Sequence, residues 1–418
     1  MTRSTAVAAC IAAALVLAGC AEPRPLPTPT PTPTEAVEPT GDGVLRIGAL
    51  LSMGGDVTTV SPGMVAAIEV ATRDINAAGG VLGVAVEAYY RDAGTLDSEQ
   101  LETAFAELVA RGVDVVVGPT APALLERLLP LAAEAGVVVL ASAAPSPTAG
   151  SVTPAGCLVR TIPAVDRQAV AIAQSLVDDR ADSVAVIAGT DAQGLSVVDS
   201  VRAALDGSTT SLTAVERADS NTTPSRLAFS ITSAQPDSII IAADRLTTSE
   251  TAGIVAALLD RGVRAEQLWF TSSAVADYSS ALAGASLEGA RGVTEGADAG
   301  EAFTLRLLQS DPRLDTVRFA AETYDAVVLA ALAAVIAADD GGASIARTIR
   351  LAMTGGVACV SYGECLDALD NDQTVNYDGL SGPLDVDDAG DIVSAELRVL
   401  RYDASNRPQI DGSLSLRP

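Results

Sequence analysis

Between residues 113 and 147 the chain sets two unbroken apolar runs on either side of one amphipathic stretch. Val113 to Val117 and Val137 to Leu140 are rich in β-branched residues with little polar alternation, the mark of strands buried on both faces of a parallel sheet. The spacing of apolar positions from Ala123 to Ala135 predicts a helix, so the stretch reads as a βαβ unit. Each strand ends in small polar residues. In an open α/β sheet ligands bind beyond the carboxyl ends of the strands, which puts Gly118, Pro119, Thr120 and Ala141 to Ser146 at a crevice.

The same alternation extends in both directions. LRIGALL predicts a buried strand, after which Ser61 as N-cap and Pro62 open a helix with Met64, Ala67, Ile68, Ala71 and Ile75 on one face. VLGVAVEAYY predicts a strand, and Ser98 is the expected cap of a helix reaching about Arg111. Further on, Val184 to Ile187, a helix from about Ala192, a helix opened by Pro224, SIIIAAD, a helix through Leu259 and QLWFTSS repeat the pattern. Repetition of this kind implies two similar α/β lobes.

Composition narrows the chemistry. With 418 residues and 49% hydrophobic content the chain is too long for one ordinary core, and two domains are expected. Its 53 acidic and 26 basic residues give a formal charge of -27, which excludes the basic face that a nucleic-acid partner requires and favours a soluble monomer. Histidine is absent. That removes Ser-His-Asp and Cys-His catalysis and imidazole-ligated zinc. The sequence also carries no P-loop, no G-x-G-x-x-G and no G-x-S-x-G, so neither an enzyme nor a cofactor is expected.

The N-terminus has a different pattern. Arg3, an apolar run from Ala6 to Leu17 and small residues before Cys20 make a secretory signal over residues 1–19, too short to span a bilayer. Residues 20–43 alternate Pro with Thr and cannot bury a core, so they form an extended tether at about 3.1 Å per residue. LAGC, ending at Cys20, resembles the bacterial lipobox. That resemblance implies lipidation of Cys20, anchorage on the extracytoplasmic face of the cell membrane, and a mature chain starting there. In an exported protein the short spacing in CVSYGEC predicts a Cys359–Cys365 disulfide; Cys157 is left as a small buried apolar side chain. No second pair or histidine completes a tetrahedral metal site.

Strand, glycine loop, INAAGGVLG, RDAGT, RGVDVVVGPT and the S/A/P-rich turn together resemble the start of the type I periplasmic binding proteins, nearest the branched-chain amino acid (leucine-binding) subfamily of ABC transporters. The resemblance implies an α/β fold of two Rossmann-like lobes joined by a three-strand hinge, with lobe 1 formed by 44–161 and 292–380 and lobe 2 by 162–291 and 381–418. CLVRT, EGARGVTEG and GLSGPLDVDDAGD would be the three crossings. It also implies a small polar ligand, an amino acid or related compound, captured between the lobes and delivered to an ABC permease. The same fold could serve an extracytoplasmic sensor or protein-interaction module. For such a ligand the strand-end loops offer Thr120, Ala121, Ser142, Ala143 and Ser146 from the first lobe, and Asp166, Gln193, Asp244, Ser272, Ser273 and Asp277 from the second. The amino-acid pattern of the family is altered at Pro145, at Val165, where the acid comes one place later, at Gln193 and at Val60-Ser61. Tyr324 and Asp325 match a family helix and are expected to be structural.

Overall fold

The computed structural model describes residues 39–418 except 54–59, 146–156, 243–245, 283, 297, 299 and 388–390. The first lobe begins β1 (Arg46–Leu51), α1 (Ser61–Ala77), β2 (Glu87–Asp92), α2 (Gln100–Val109), β3 (Val115–Val117), α3 (Pro122–Ala135), β4 (Val138–Ala141) and β5 (Leu158–Arg160). Its five strands lie in the order β2-β1-β3-β4-β5 and every pairing is parallel. Parallel strands covered by helices on both faces must be apolar throughout, and β3 and β4 are buried at every position.

The second lobe follows with α4 (Val165–Asp178), β6 (Ser183–Gly189), α5 (Ala192–Leu205), β7 (Ser211–Ala218), α6 (Pro224–Ser233), β8 (Ser238–Ala242), α7 (Thr248–Asp260), β9 (Leu268–Phe270) and β10 (Arg291–Thr294). The chain then builds α8 (Gly300–Ser310), α9 (Ala320–Ala337), α10 (Gly342–Thr348), β11 (Val357–Cys359), α11 (Tyr362–Asp370) and β12 (Val375–Tyr377), and ends in β13 (Ala395–Tyr402) and β14 (Pro408–Leu416). The last two strands form an antiparallel hairpin on the edge of a seven-stranded sheet ordered β14-β13-β10-β9-β8-β6-β7. β10 pairs with β9 and β13 in that sheet, so the return toward the first lobe runs through Glu295 and Gly296. Two α/β units, each built on a mainly parallel sheet, make the fold class that the resemblance implies.

One buried cluster covers the α2–α3 face of the first sheet and another the α6–α7 face of the second. The other two faces share a continuous core with α1, α9, α4 and α5. Helix α9 is long and apolar enough to cross a membrane, yet 83% of it is buried in protein. A helix apolar all round belongs in a core, and this one forms the spine of the first lobe.

Two polar residues of α9 fix the segments that pass it. Asp325 is fully buried and accepts hydrogen bonds from the Tyr377 hydroxyl (2.7 Å), the Leu380 N–H (2.9 Å), and the Ser381 N–H (2.7 Å) and hydroxyl (2.5 Å). Burial pushes its carboxyl above the usual range while these four donors pull it back. A Cβ at Gly379 would lie 2.2 Å from an Asp325 oxygen, so only glycine lets this segment come so close. The Tyr324 hydroxyl donates to Asp74 on α1 (2.7 Å), which also accepts from Arg306 on α8 (2.5 Å). The expected structural role of Tyr324 and Asp325 is thereby given its contacts.

Two helix starts differ from the sequence reading. Val60, not Ser61, precedes α1, and the Ser61 hydroxyl donates to the Ser52 carbonyl (2.6 Å), tying the helix to the end of β1. Glu99 precedes α2, while Ser98 bonds within its own turn to Thr95. At Ser98 a local turn competes for the hydroxyl and wins, and at Ser61 the end of β1 takes it. A disulfide joins Cys359 to Cys365. Cys157 is free and half-exposed rather than buried, because it precedes the edge strand β5.

Candidate functional site

The carboxyl ends of the two sheets face a common cleft of about 520 Å³, a volume suited to a small organic molecule. From the first lobe it is lined by Leu96, by Thr120 and the start of α3, and by Ala143 and Pro145 after β4; the second lobe adds Val165, Gln193, Ser272 and Ser273. Glu295, Arg318 and Phe319 complete the wall.

Each side chain is placed by the strand or helix end it follows. Gly118 closes β3 with φ of +107°, and a Cβ there would sit 2.4 Å from the Leu50 carbonyl oxygen. Glycine therefore allows the turn to pass under β1 and brings Thr120 to the cleft. The Thr120 hydroxyl is buried and has no hydrogen-bond partner among the described residues. On the opposite wall, the Ser272 N–H donates to the buried Gln168 side chain (2.9 Å) and its hydroxyl to Glu295 (2.9 Å). The Ser273 hydroxyl bonds that of Thr271 (3.0 Å).

Glu295 is 2% exposed and pairs through its other oxygen with Arg318 at 3.2 Å. The Arg318 guanidinium stands 4.5 Å from the Phe319 ring centroid, a cation–π distance, and its Nε is buried without a hydrogen-bond partner among the described residues. Phe319 caps α9 in the left-handed region at φ of +64°, a conformation that costs a non-glycine residue roughly 1–3 kcal/mol and is concentrated at functional sites.

Six of the expected residues thus meet in one cleft: Thr120, Ala121, Ala143, Gln193, Ser272 and Ser273. Ser142 is completely buried and bonds Thr323 on α9 (2.9 Å), so its hydroxyl is turned into the first lobe. Asp166 joins α4 to α5 by accepting from Ser196 (2.8 Å) and Ser200 (3.2 Å). Asp277 is exposed and pairs with Arg407 at 3.3 Å, outside the cleft lining. Ser146, Asp244 and Cys20 lie outside the described residues. Sequence reasoning missed Glu295, Arg318 and Phe319. Their signal was positional, since Glu295 belongs to EGARGVTEG and Arg318-Phe319 lead directly into AAETYDA.

Beside the cleft the crossings brace one another. Arg160, at the end of β5, is 2% exposed and forms an ion pair with Asp391 of the third crossing, while Arg167 on α4 reaches Asp387 at 2.9 Å. Burial lowers the basicity of Arg160 and raises the Asp391 carboxyl, with the partner charge opposing the shift in each case. The Thr161 hydroxyl donates to the Glu322 carbonyl (2.8 Å), fixing the first crossing to α9.

Residues 44–407 match the family model described as periplasmic binding protein. The chain belongs to that family. Periplasmic binding proteins of this type hold ligands and are not enzymes. Solved structures similar to this one include a leucine-binding protein from Thermotoga maritima, 19% identical with a TM-score of 0.60, the alignment covering 90% of this chain and 99% of the other. A substrate-binding protein from Desulfitobacterium hafniense in complex with Leu is 18% identical with a TM-score of 0.63, covering 88% and 100%. A solute-binding protein from Rhodopseudomonas palustris in complex with p-hydroxybenzoic acid is also 18% identical, with a TM-score of 0.62 and coverage of 90% and 98%. Comparison with curated proteins by sequence finds no match.

Proposed function

We propose that this periplasmic binding protein is the lipid-anchored solute receptor of an ABC importer and captures a small carboxylate-bearing compound, an amino acid or related acid, between its lobes. The observation that carries this reading is the cleft itself: hydroxyl-bearing residues of both lobes, Thr120, Ser272 and Ser273, and Arg318 line a space of about 520 Å³. A solute touching both lobes favours the closed arrangement, and a permease that recognises that arrangement completes import. The solved relatives that hold Leu or p-hydroxybenzoic acid support the class of ligand. LAGC and the proline-threonine tether support attachment through Cys20 on the outer face of the cell membrane, with the folded chain a monomer.

A thermal-shift screen of amino acids, amides and aromatic acids tests the cleft. A solute at a hundred times its dissociation constant stabilises the chain by about 2.7 kcal/mol. Ala121→Trp, which fills the cleft from the first lobe, is expected to abolish the shift. A shift that survives it places binding elsewhere. For the anchor, Cys20→Ala should move the protein from the membrane fraction to the soluble fraction; retention on the membrane would refute lipidation.

A further inference from the structure

Three passages of chain join the lobes, and the bonds they make decide which lobe they travel with. The first runs from β5 to α4, the second from β10 to α8 and the third from β12 to β13. On the first, the Thr161 hydroxyl donates to the Glu322 carbonyl of α9. The second sets Glu295 against Arg318, one residue ahead of the α9 cap Phe319. Gly296 lies close by, since a Cβ there would stand 3.2 Å from the Arg318 Cγ. On the third, Leu380 and Ser381 donate to Asp325. All three therefore meet about two turns of chain, Arg318 to Asp325, at the start of the helix that forms the spine of the first lobe.

The third passage is tied to the first lobe twice more. Arg350, just after α10, donates to the Asp387 carbonyl (2.7 Å), and Arg160 of β5 pairs with Asp391. Thr161, Glu295, Asp325 and Ser381 are all buried. Buried bonds hold firmly, because breaking one strands a polar atom away from water. Toward the second lobe the same passages offer Glu295 to Ser272, and Asp387 to Arg167 of α4 at 2.9 Å. The Arg167 and Asp387 side chains are 30% and 33% exposed, so water screens the pair and it gives way more easily. Past the last tie on each passage little chain remains: Ile162 to Ala164 before α4, the junction of Thr294 and Glu295 after β10, and Ile392 to Ser394 before β13. A few residues at element ends suffice to absorb a domain rotation.

Resting on the reading that the lobes close on a solute, we infer that the opening turns of α9 are the pivot of that motion. The three passages ride with the first lobe, the second lobe swings alone at those short stretches, and the Arg167–Asp387 pair is the latch that spans the line of bending. Thr161 and Asp325 are then positioning residues for capture.

The experiment measures distances between pairs of nitroxide labels in the full chain without solute, with Cys10, Cys20 and Cys157 replaced by alanine and the disulfide intact. Labels are placed two at a time on exposed Glu134 of α3, exposed Asp199 of α5 and Asp385 of the third passage. The Glu134 to Asp385 distance is expected to stay one narrow peak in every variant. Arg167→Gln should move weight away from the separation of this structure by about twofold to fivefold in both pairs that include Asp199. Thr161→Val removes one tie without adding a charge, and should widen those same two distributions. The reverse pattern, with Glu134 to Asp385 broadening and Asp385 to Asp199 staying narrow, overturns the inference. So does a Glu134 to Asp199 peak that neither Arg167→Gln nor Thr161→Val alters. Because no solute takes part, the pivot can fail here while the thermal-shift screen still finds a ligand, and a screen without a hit leaves these distances standing.

Discussion

The two walls of the cleft are built from the same βα units and differ in how fully their polar groups are bonded. On the second lobe most polar groups beside the strand ends are bonded to one another, the Gln168 amide nitrogen excepted: Ser272 to Gln168 and Glu295, Ser273 to Thr271, and Asp166 to Ser196 and Ser200. The facing wall keeps Thr120 and the Arg318 Nε without partners among the described residues. A satisfied wall is rigid and has little to offer a newcomer, whereas an unsatisfied one carries a desolvation cost that a ligand relieves. The first wall is therefore where recognition begins, and the second is the surface that closes over it.

The largest test attacks what the walls share. Arg160→Ala removes a buried guanidinium from the half-buried Asp391 and is expected to cost about 2–3 kcal/mol in denaturant unfolding, with both lobes affected. If the loss stays within about 1 kcal/mol, the crossings are not braced as described and the walls cannot be compared as one rigid pair. Next, Ser272→Ala removes one of the two partners of Glu295 and should destabilise the chain by about 1–2 kcal/mol while changing solute affinity little. Thr120→Val should do the reverse. Its hydroxyl has no partner among the described residues, so stability should hold within about 0.5 kcal/mol while affinity falls about tenfold. Equal stability losses in the two variants would erase the contrast.

A control lies at the opposite end of the first sheet. Burial pushes the Asp114 carboxyl up to about 7, reinforced by Asp340 and Asp42 and opposed by Arg46 and its backbone N–H. Because the folded value is raised, the folded chain binds the proton more tightly than the unfolded one. Its contribution to stability is fully present below about pH 4 and is lost as pH rises through 7. Asp114→Asn should flatten that slope between pH 4 and 7 without touching the contrast between the walls. A slope unchanged in the variant would assign it to another group.

Much of the fold could be read from period and composition alone. Val115–Val117 and Val138–Ala141 are apolar at each position because helices cover both faces, and their shortness and β-branched residues mark them as buried parallel strands. Thr120, Ser272 and Ser273 were legible for the same reason, since they follow buried strands directly. Ser142 and Asp166 were chosen by residue type, but a hydroxyl or carboxylate beside a strand end faces either the cleft or a neighbouring helix, and Thr323 and Ser196 settled that in three dimensions. Arg318 was invisible because its position depends on a turn brought to the cleft by the long return through α8. No local spacing encodes that route.

Trp269 is the chain's single tryptophan, 2% exposed in β9, with the Arg291 guanidinium 3.9 Å from its ring centroid. Intrinsic indole emission therefore reports on the second lobe alone, and comparing it with helix dichroism from the whole chain would reveal whether one half melts before the other without any attached dye.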